Sequence, residues 1–539
     1  MQPMIRRRFV FDWQIWLVLI AAMISAALAY NTRLALFELS VIAFGVVVYL
    51  IMANLPDPVQ RGQAAPRSIL GGILALLPVV IAVYFFLTND WSHWIGKLSV
   101  FDPVLRVLAA WPLSSMGLSA NPNVIGGVIA ALLPLQIYAL RHARRWVAAV
   151  LIGLSGVALV FSETRGAWLA LLLITGMWLL WRAIDRRQTN ARHARWQWWI
   201  IVIVIGLIGA AVLIITPLGS RLLGLGGDRE QIWRNSLDLV GDYPLTGFGL
   251  GDFEMTYSTY ALLVHVGHTM HAHNLWLDVW LNLGLLGLLA LAGMVINAVW
   301  VKPSPSPWRM VSLMTLGVIL LHTLVDDSIF GYGGAAIPII FIPLGLLARS
   351  AVEPAPARSR WQPAWAIWII AGIGLIIGLI IPSGRAVLAA NLGALAQTRA
   401  ELSVYHWPEI EIQDALRQTG QVDLSAAQSN YLAALQLDEN NVAANRRLGQ
   451  IELAQGQYDT ACQRLARAWV AAPQQRATRQ MLGECDALQG STARAVELWR
   501  SVDNQERQLE TRLWWYDSFL KDSQRAAALS QVLQVVEQR

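Results

Sequence analysis

Eleven apolar runs dominate the chain, near 9–30, 35–54, 69–87, 122–140, 146–161, 166–181, 198–215, 275–300, 310–325, 336–348 and 364–382. Each approaches the roughly 20 residues a helix needs to cross hydrocarbon. Lipid offers no hydrogen-bond partners, so a backbone inside it must satisfy itself, which for runs of this length means helices. Composition agrees, because 56% hydrophobic and 14% charged residues leave too little polar surface to coat a soluble globule of 539 residues. The expectation is an all-α, polytopic helical membrane protein with about 11 spans, possibly 12. The uncertain segments are 336–348, short and carrying Pro338 and Pro343, and Val100–Leu113, which reads as a further span or a helix on the surface.

Lys and Arg favour cytoplasmic loops. Taking alternate loops from the N-terminus, one side collects 18 of these residues and the other 7, so the first side reads as cytoplasmic. An odd number of spans then puts the large loop at about 216–274 and everything beyond residue 382 outside the cytoplasm of a cell (inner) membrane. A cleaved signal peptide is the rival reading of the first segment, since Arg6–Arg8 precede an apolar run and "ALA" stands at 27–29.

Three regions follow: a membrane domain over 1–382, a linker or helical region over 383–425, and a repeat region over 426–539. Within the last, 426–459 set above 460–493 aligns Ala427 with Ala461, Leu448 with Leu482, Gly449 with Gly483 and Gly456 with Gly490. The 34-residue period, with Leu-Gly in a helix and Gly at the turn, resembles the tetratricopeptide repeat and predicts an α-solenoid. Such an array offers a concave face to a protein partner or serves only as a packing domain. Cys462 and Cys485, the only cysteines, read as buried thiols, because two residues make no disulfide framework.

Ionisable groups at membrane depth are costly and default to function. "FSETRGAWLALL" holds Arg165 in a very short outer connection, where its guanidinium either snorkels to water or forks onto an anion such as phosphate. In the outer loop an amphipathic helix over about Asp228–Val240 carries Arg229 and Arg234, five apart and so off a common stripe. Gly247, Gly249 and Gly251 follow and permit tight turns near a ligand, but no Gly-Lys-Ser/Thr makes them a P-loop. The histidines His265, His268, His271 and His273 lack an HExxH pattern, a cysteine or a carboxylate at ligand spacing, so no metal site is expected. His273, directly before Asn274 and an apolar run, stands at the membrane surface as a candidate base.

At five places in order the chain resembles the O-antigen ligase and polymerase family. The stretches are "SANPNVIGGVIAALLPL" (119–135), "SETRGAWLALL" (162–172), "DREQIWRNSLDLVGDYPLTGFGLGDF" (228–253), "HAHNLWLDVWLNLGLLGLL" (271–289) and "LLHTLVDDSIF" (320–330), a core of about 120–345. The resemblance implies a membrane glycosyltransferase that moves a glycan from a polyprenyl diphosphate carrier to an extracytoplasmic acceptor, without cofactor or metal, and with inversion. It maps the family's short-loop arginine onto Arg165, its outer-loop arginine onto Arg229 and its pre-span histidine onto His273. Arg234, Asn274, Asp326, Gly249 and Gly251 are the expected substrate-binding residues. Asp326 and Asp327 either position the acceptor or form a structural pair. The repeat tail departs from plain ligases, so the acceptor stays open among a growing polysaccharide, another surface glycan or lipid, and a protein hydroxyl. A polymerase and a protein O-oligosaccharyltransferase are the alternatives within the family, and a polysaccharide exporter or flippase is the non-enzymatic one.

Overall fold

A computed structural model describes residues 11–54, 69–96, 102–111, 121–187, 227–264, 266–300, 307–327, 329–330, 334–350, 381–405 and 413–538, with isolated positions between 372 and 380. The expected spans near 198–215 and 364–382 lie wholly or mostly outside these residues. Among the described residues every regular element is helical.

The membrane part comprises α1 (Asp12–Leu28), α2 (Thr32–Asn54), α3 (Ile69–Thr88), α4 (Asp102–Ala109), α5 (Pro122–Leu140), α6 (Arg145–Phe161) and α7 (Arg165–Arg187), then α10 (Leu275–Trp300), α11 (Pro307–His322) and α12 (Pro338–Ser350). Four of these, α2, α3, α5 and α10, are long and apolar enough to cross a membrane, and α1, α6, α11 and α12 are shorter apolar helices. Of Val100–Leu113, the described residues 102–111 hold the eight-residue α4, whose Leu105 is buried. The bundle pairs α1 with α10, α2 with α12, α3 with α5, and α11 with α5, α7 and α12. Large apolar side chains such as Trp16, Phe44, Val80 and Leu172 stay exposed on its outside, as a lipid-facing surface requires. Inside it, fully buried Gln136 donates through Nε2 to Ala75 O (3.1 Å) and Leu151 O (3.3 Å), a polar tie joining α3, α5 and α6. The "NPN" before α5 acts as a start signal: Asn121 Oδ1 accepts from Asn123 N and Val124 N, and Pro122 opens the helix.

Between α7 and α10 lies the outer loop, with α8 (Gly227–Asp242) and α9 (Phe253–Tyr257), the latter running into a π-turn over Ser258–Leu262. The alternating glycines here have a structural cause. α10 is broken at Gly284 (φ 68°), and the chain at Leu245–Phe248 enters the break. Phe248 N donates to Leu281 O (2.9 Å) and Leu285 N to Leu245 O (3.0 Å), replacing the missing turn of helical bonds. A Cβ on Gly247 would lie 2.3 Å from Leu281 O, and one on Gly284 would lie 2.5 Å from Leu245 O, so only glycine permits the approach. Asp252 fastens the same loop to the α1–α2 corner by accepting from Tyr30 N (2.7 Å) and Asn31 N (3.3 Å).

The C-terminal part opens with α13 (Pro382–Leu402) and α14 (Gln413–Thr419) and continues as α15 (Ser425–Leu437), α16 (Val442–Ala454), α17 (Tyr458–Ala471), α18 (Arg476–Leu488), α19 (Thr492–Trp499), α20 (Gln505–Trp514) and α21 (Ser523–Glu537). Helices α16 and α18 begin 34 residues apart, as do α17 and α19. The aligned positions have physical reasons. Gly449 lets Leu465 of α17 approach, Gly483 lets Trp499 of α19 approach, and Gly456 and Gly490 (both φ 79°) turn the chain between helices. The expectation of buried thiols is overturned: Cys462 on α17 and Cys485 on α18 form a disulfide, their Cα atoms 5.6 Å apart. Separation in sequence carries no sign of this. The bond arises because packing consecutive helices sets facing positions side by side.

One face of this array, on α16 and α18, packs against the chain's own loop between α7 and α10. Buried Arg446 pairs with Asp242 and donates to Tyr260 O (2.9 Å). Arg447 donates to the Tyr243 hydroxyl (2.8 Å) and stacks 3.4 Å over the Tyr260 ring, and Arg476 donates to Leu262 O (2.6 Å). From α13, Asn391 Oδ1 accepts from Leu245 N and Thr246 N.

Candidate active site

The start of α7, the first turn of α8 and the start of α10 meet at one end of the bundle, on the segment His322–Asp327 that ends and follows α11. Arg229, from the first turn of α8, donates through Nη1 to Val325 O and through Nη2 to Asp326 Oδ2 (3.2 Å). His273 Nδ1 lies 3.0 Å from Asp326 Oδ1. Asn274 caps α10 by accepting from Trp276 N and Leu277 N, while its Nδ2 donates to Leu324 O (3.0 Å). Leu275 N donates to Thr323 O, so two consecutive residues lace the start of α10 to the end of α11.

Arg165 opens α7, exposed, and makes no hydrogen bond or ion pair to any described residue. Its neighbour Gly166 reaches the cluster: a Cβ there would lie 3.1 Å from His322 Nδ1 and 3.2 Å from Val325 Cγ2. Arg165 therefore emerges one residue from the strip whose next carbonyl and carboxylate hold Arg229. The other candidates sit elsewhere. Arg234 pairs with Glu230 on the exposed side of α8. Gly249 and Gly251, with φ of 120° and 78°, turn the chain against Ala29 and Leu34 at the α1–α2 corner, and Gly251 N donates to Asn282 Oδ1.

The electrostatics of the cluster separate its two aspartates. Burial alone would raise Asp326, but its hydrogen bond to His273 and the Arg229 guanidinium outweigh burial and hold it well below the usual carboxylate range. Asp327 moves the opposite way, pushed well above its ordinary value by burial and by the carboxyl of Asp278. Two carboxylates offer each other no donor, so one proton between them satisfies the pair. Burial also lowers His271, partly opposed by Asp327 and Asp326, which keeps its imidazole neutral.

His271, His273 and Asp326 bring three possible ligand atoms within 4.8 Å of one another. No carboxylate stands at ligand spacing in the sequence; the fold imports one from 53 residues away. A cation here would compete with Arg229, whose guanidinium already neutralises the same carboxylate. The chemistry most accessible to the cluster is that of an imidazole oriented by an ionised aspartate beside two guanidiniums.

Residues 148–292 match a family model described as O-antigen ligase. Over that stretch the chain is similar to an O-antigen ligase domain. The matched stretch runs from within α6 through most of α10 and so contains Arg165, Arg229 and His273, whereas Asp326 lies beyond its end. No curated protein and no solved structure matches the chain. The apolar helices and this similarity together point to a multi-pass membrane protein. Three side chains of its cluster carried no signal for a role: His271, Asp278 and His322. Asp278 reads locally as an acid favoured by the first turn of a helix, and His322 as one polar residue in an apolar run; only the fold shows what they face.

Proposed function

We propose that the protein transfers a glycan from a polyprenyl diphosphate carrier to a hydroxyl acceptor outside the cytoplasm, without a metal ion and with inversion at the anomeric carbon. The convergence of Arg229, His273 and Asp326 beside the start of α7 carries this reading. A diphosphate is already a good leaving group, so catalysis consists mainly of neutralising charge as the C–O bond breaks. Arg229 commits two of its five N–H donors to Val325 and Asp326 and keeps the rest; Arg165 is a second cation at the same end. Their attraction for the carrier oxygens grows toward the transition state, where stabilisation becomes rate. Ionised Asp326 accepts from His273 Nδ1–H, which leaves Nε2 to take the acceptor hydroxyl's proton as the oxygen attacks.

The bias of Lys and Arg and the Cys462–Cys485 disulfide, a bond of oxidising compartments, both support an extracytoplasmic site and tail. The tail, read as tetratricopeptide-like, contacts the loop that would bind the donor. Full-length protein in nanodiscs, supplied with a polyprenyl-diphosphate glycan and an acceptor, should release carrier diphosphate, and Arg165→Ala and Arg229→Ala should each slow release by about 10²-fold. Wild-type turnover in both variants would sink the proposal. EDTA should leave the rate unchanged; loss restored by zinc would return His271, His273 and Asp326 to a metal-binding role.

A further inference from the structure

His273 is held in a backbone conformation that its residue type avoids. Its φ is 55°, in the left-handed region, which is strained for a non-glycine side chain and persists only when the surroundings fix it. The fixing contacts run through consecutive amides. Ala272 N donates to Asp278 Oδ1 at 2.7 Å, in a setting where Ala272 and Asp278 are both fully buried. His273 N donates to His271 Nδ1 at 3.2 Å, and the two imidazole rings lie 4.1 Å apart. Beyond them Leu275 N is bound to Thr323 O and Trp276 N to Asn274 Oδ1.

We propose that Asp278 and His271 are positioning residues: acting through the amides of Ala272 and His273, they force the left-handed turn that aims the His273 ring at Asp326. Asp278 sits one turn into α10 and reaches back past the Asn274 cap to the chain entering the helix. His271 presents an unprotonated Nδ1 to the amide of the residue two positions on. Without these acceptors the turn loses the two bonds that offset its strain, and His273 relaxes to a right-handed or extended conformation that carries its ring away from Asp326. The neighbouring Asp327 is itself held in place, its Oδ1 accepting from Ile329 N (2.8 Å) and Phe330 N (3.1 Å).

The rate consequence rests on the glycosyl-transfer reading, whereas the backbone consequence does not, and one experiment separates them. In full-length protein in nanodiscs, Asp278→Leu keeps the side-chain volume and removes the acceptor, Asp278→Asn keeps an amide oxygen for Ala272 N, and His271→Ala removes the other acceptor. Hydrogen exchange at the Ala272 and His273 amides should rise about tenfold or more in Asp278→Leu and His271→Ala and return close to wild type in Asp278→Asn. Transfer by the first two should lose about tenfold or more in kcat with donor KM within about twofold, and Asp278→Asn should recover most of it. Unchanged exchange in Asp278→Leu and His271→Ala, or equal damage in Asp278→Asn and Asp278→Leu, overturns the proposal. Exchange that responds as stated in a protein whose wild type transfers no glycan supports the positioning role and overturns the glycosyl-transfer reading instead.

Discussion

Asp252 shows how much of the outer end depends on single side chains reaching far along the chain. Burial pushes its carboxyl up to about 7; Glu38 adds to the rise, while the amides of Tyr30 and Asn31 and the charge of Arg399 oppose it. The unfolded chain would titrate this group near 4, so between about pH 4 and 7 the folded protein holds the extra proton. The stability it contributes is therefore complete below pH 4 and is lost as pH rises through 7. The difference in thermal midpoint between Asp252→Asn and wild type should shift in favour of the variant by several degrees from pH 5 to pH 8; a difference that does not change with pH would contradict this. Arg165, Arg229, His273 and Asp326 are each legible in the sequence as ionisable groups at a membrane boundary. That Arg229 and His273 share Asp326, 97 and 53 residues further on, is not, because no local spacing encodes a contact between separate helices.

At the scale of the element, hydropathy is a local property, and so the positions of most described helices could be read directly from it. The break in α10 escaped because Gly284 stands in an apolar run like its neighbours, and its purpose appears only when Leu245–Phe248 enters the gap. Gly247→Ala and Gly284→Ala should each lower the thermal midpoint by several degrees, since the new methyl meets backbone rather than a movable side chain. Gly153→Ala and Gly156→Ala, in α6 with nothing within 4 Å, should be neutral or slightly stabilising. A midpoint for Gly284→Ala equal to that of the α6 variants would show that the inserted segment can yield. The periodicity of the tail was readable for the complementary reason: its Leu-Gly pairs and turn glycines recur at the interval of the hairpins. The disulfide was not, since two lone cysteines carry no periodicity.

For the molecule as a whole, the helical array is fastened through α16 and α18 to the loop that precedes it in the chain. Arg446 and Asp242 are 204 residues apart and both 1% exposed. Removing one member of such a pair leaves a bare buried charge, at a cost of about 3–5 kcal/mol. Arg446→Met should therefore loosen the tail from the loop, read as limited proteolysis of the repeat region at least about tenfold faster than wild type. Arg494→Met, whose pair with Asp486 is half exposed, should leave the rate unchanged; equal rates in Arg446→Met and wild type would show that the loop holds the tail by other means. The same attachment sets an order of events during biosynthesis. A ribosome releases α8 and the Tyr260 turn long before it makes α16 and α18, so the loop carrying Arg229 waits, with Asp242 and two tyrosines uncovered, until the last quarter of the chain arrives. A chain cut short in that interval would hold every residue of the candidate site and lack the arginines that pack against its loop, so the loop finds its partners only after α16 and α18 have been made.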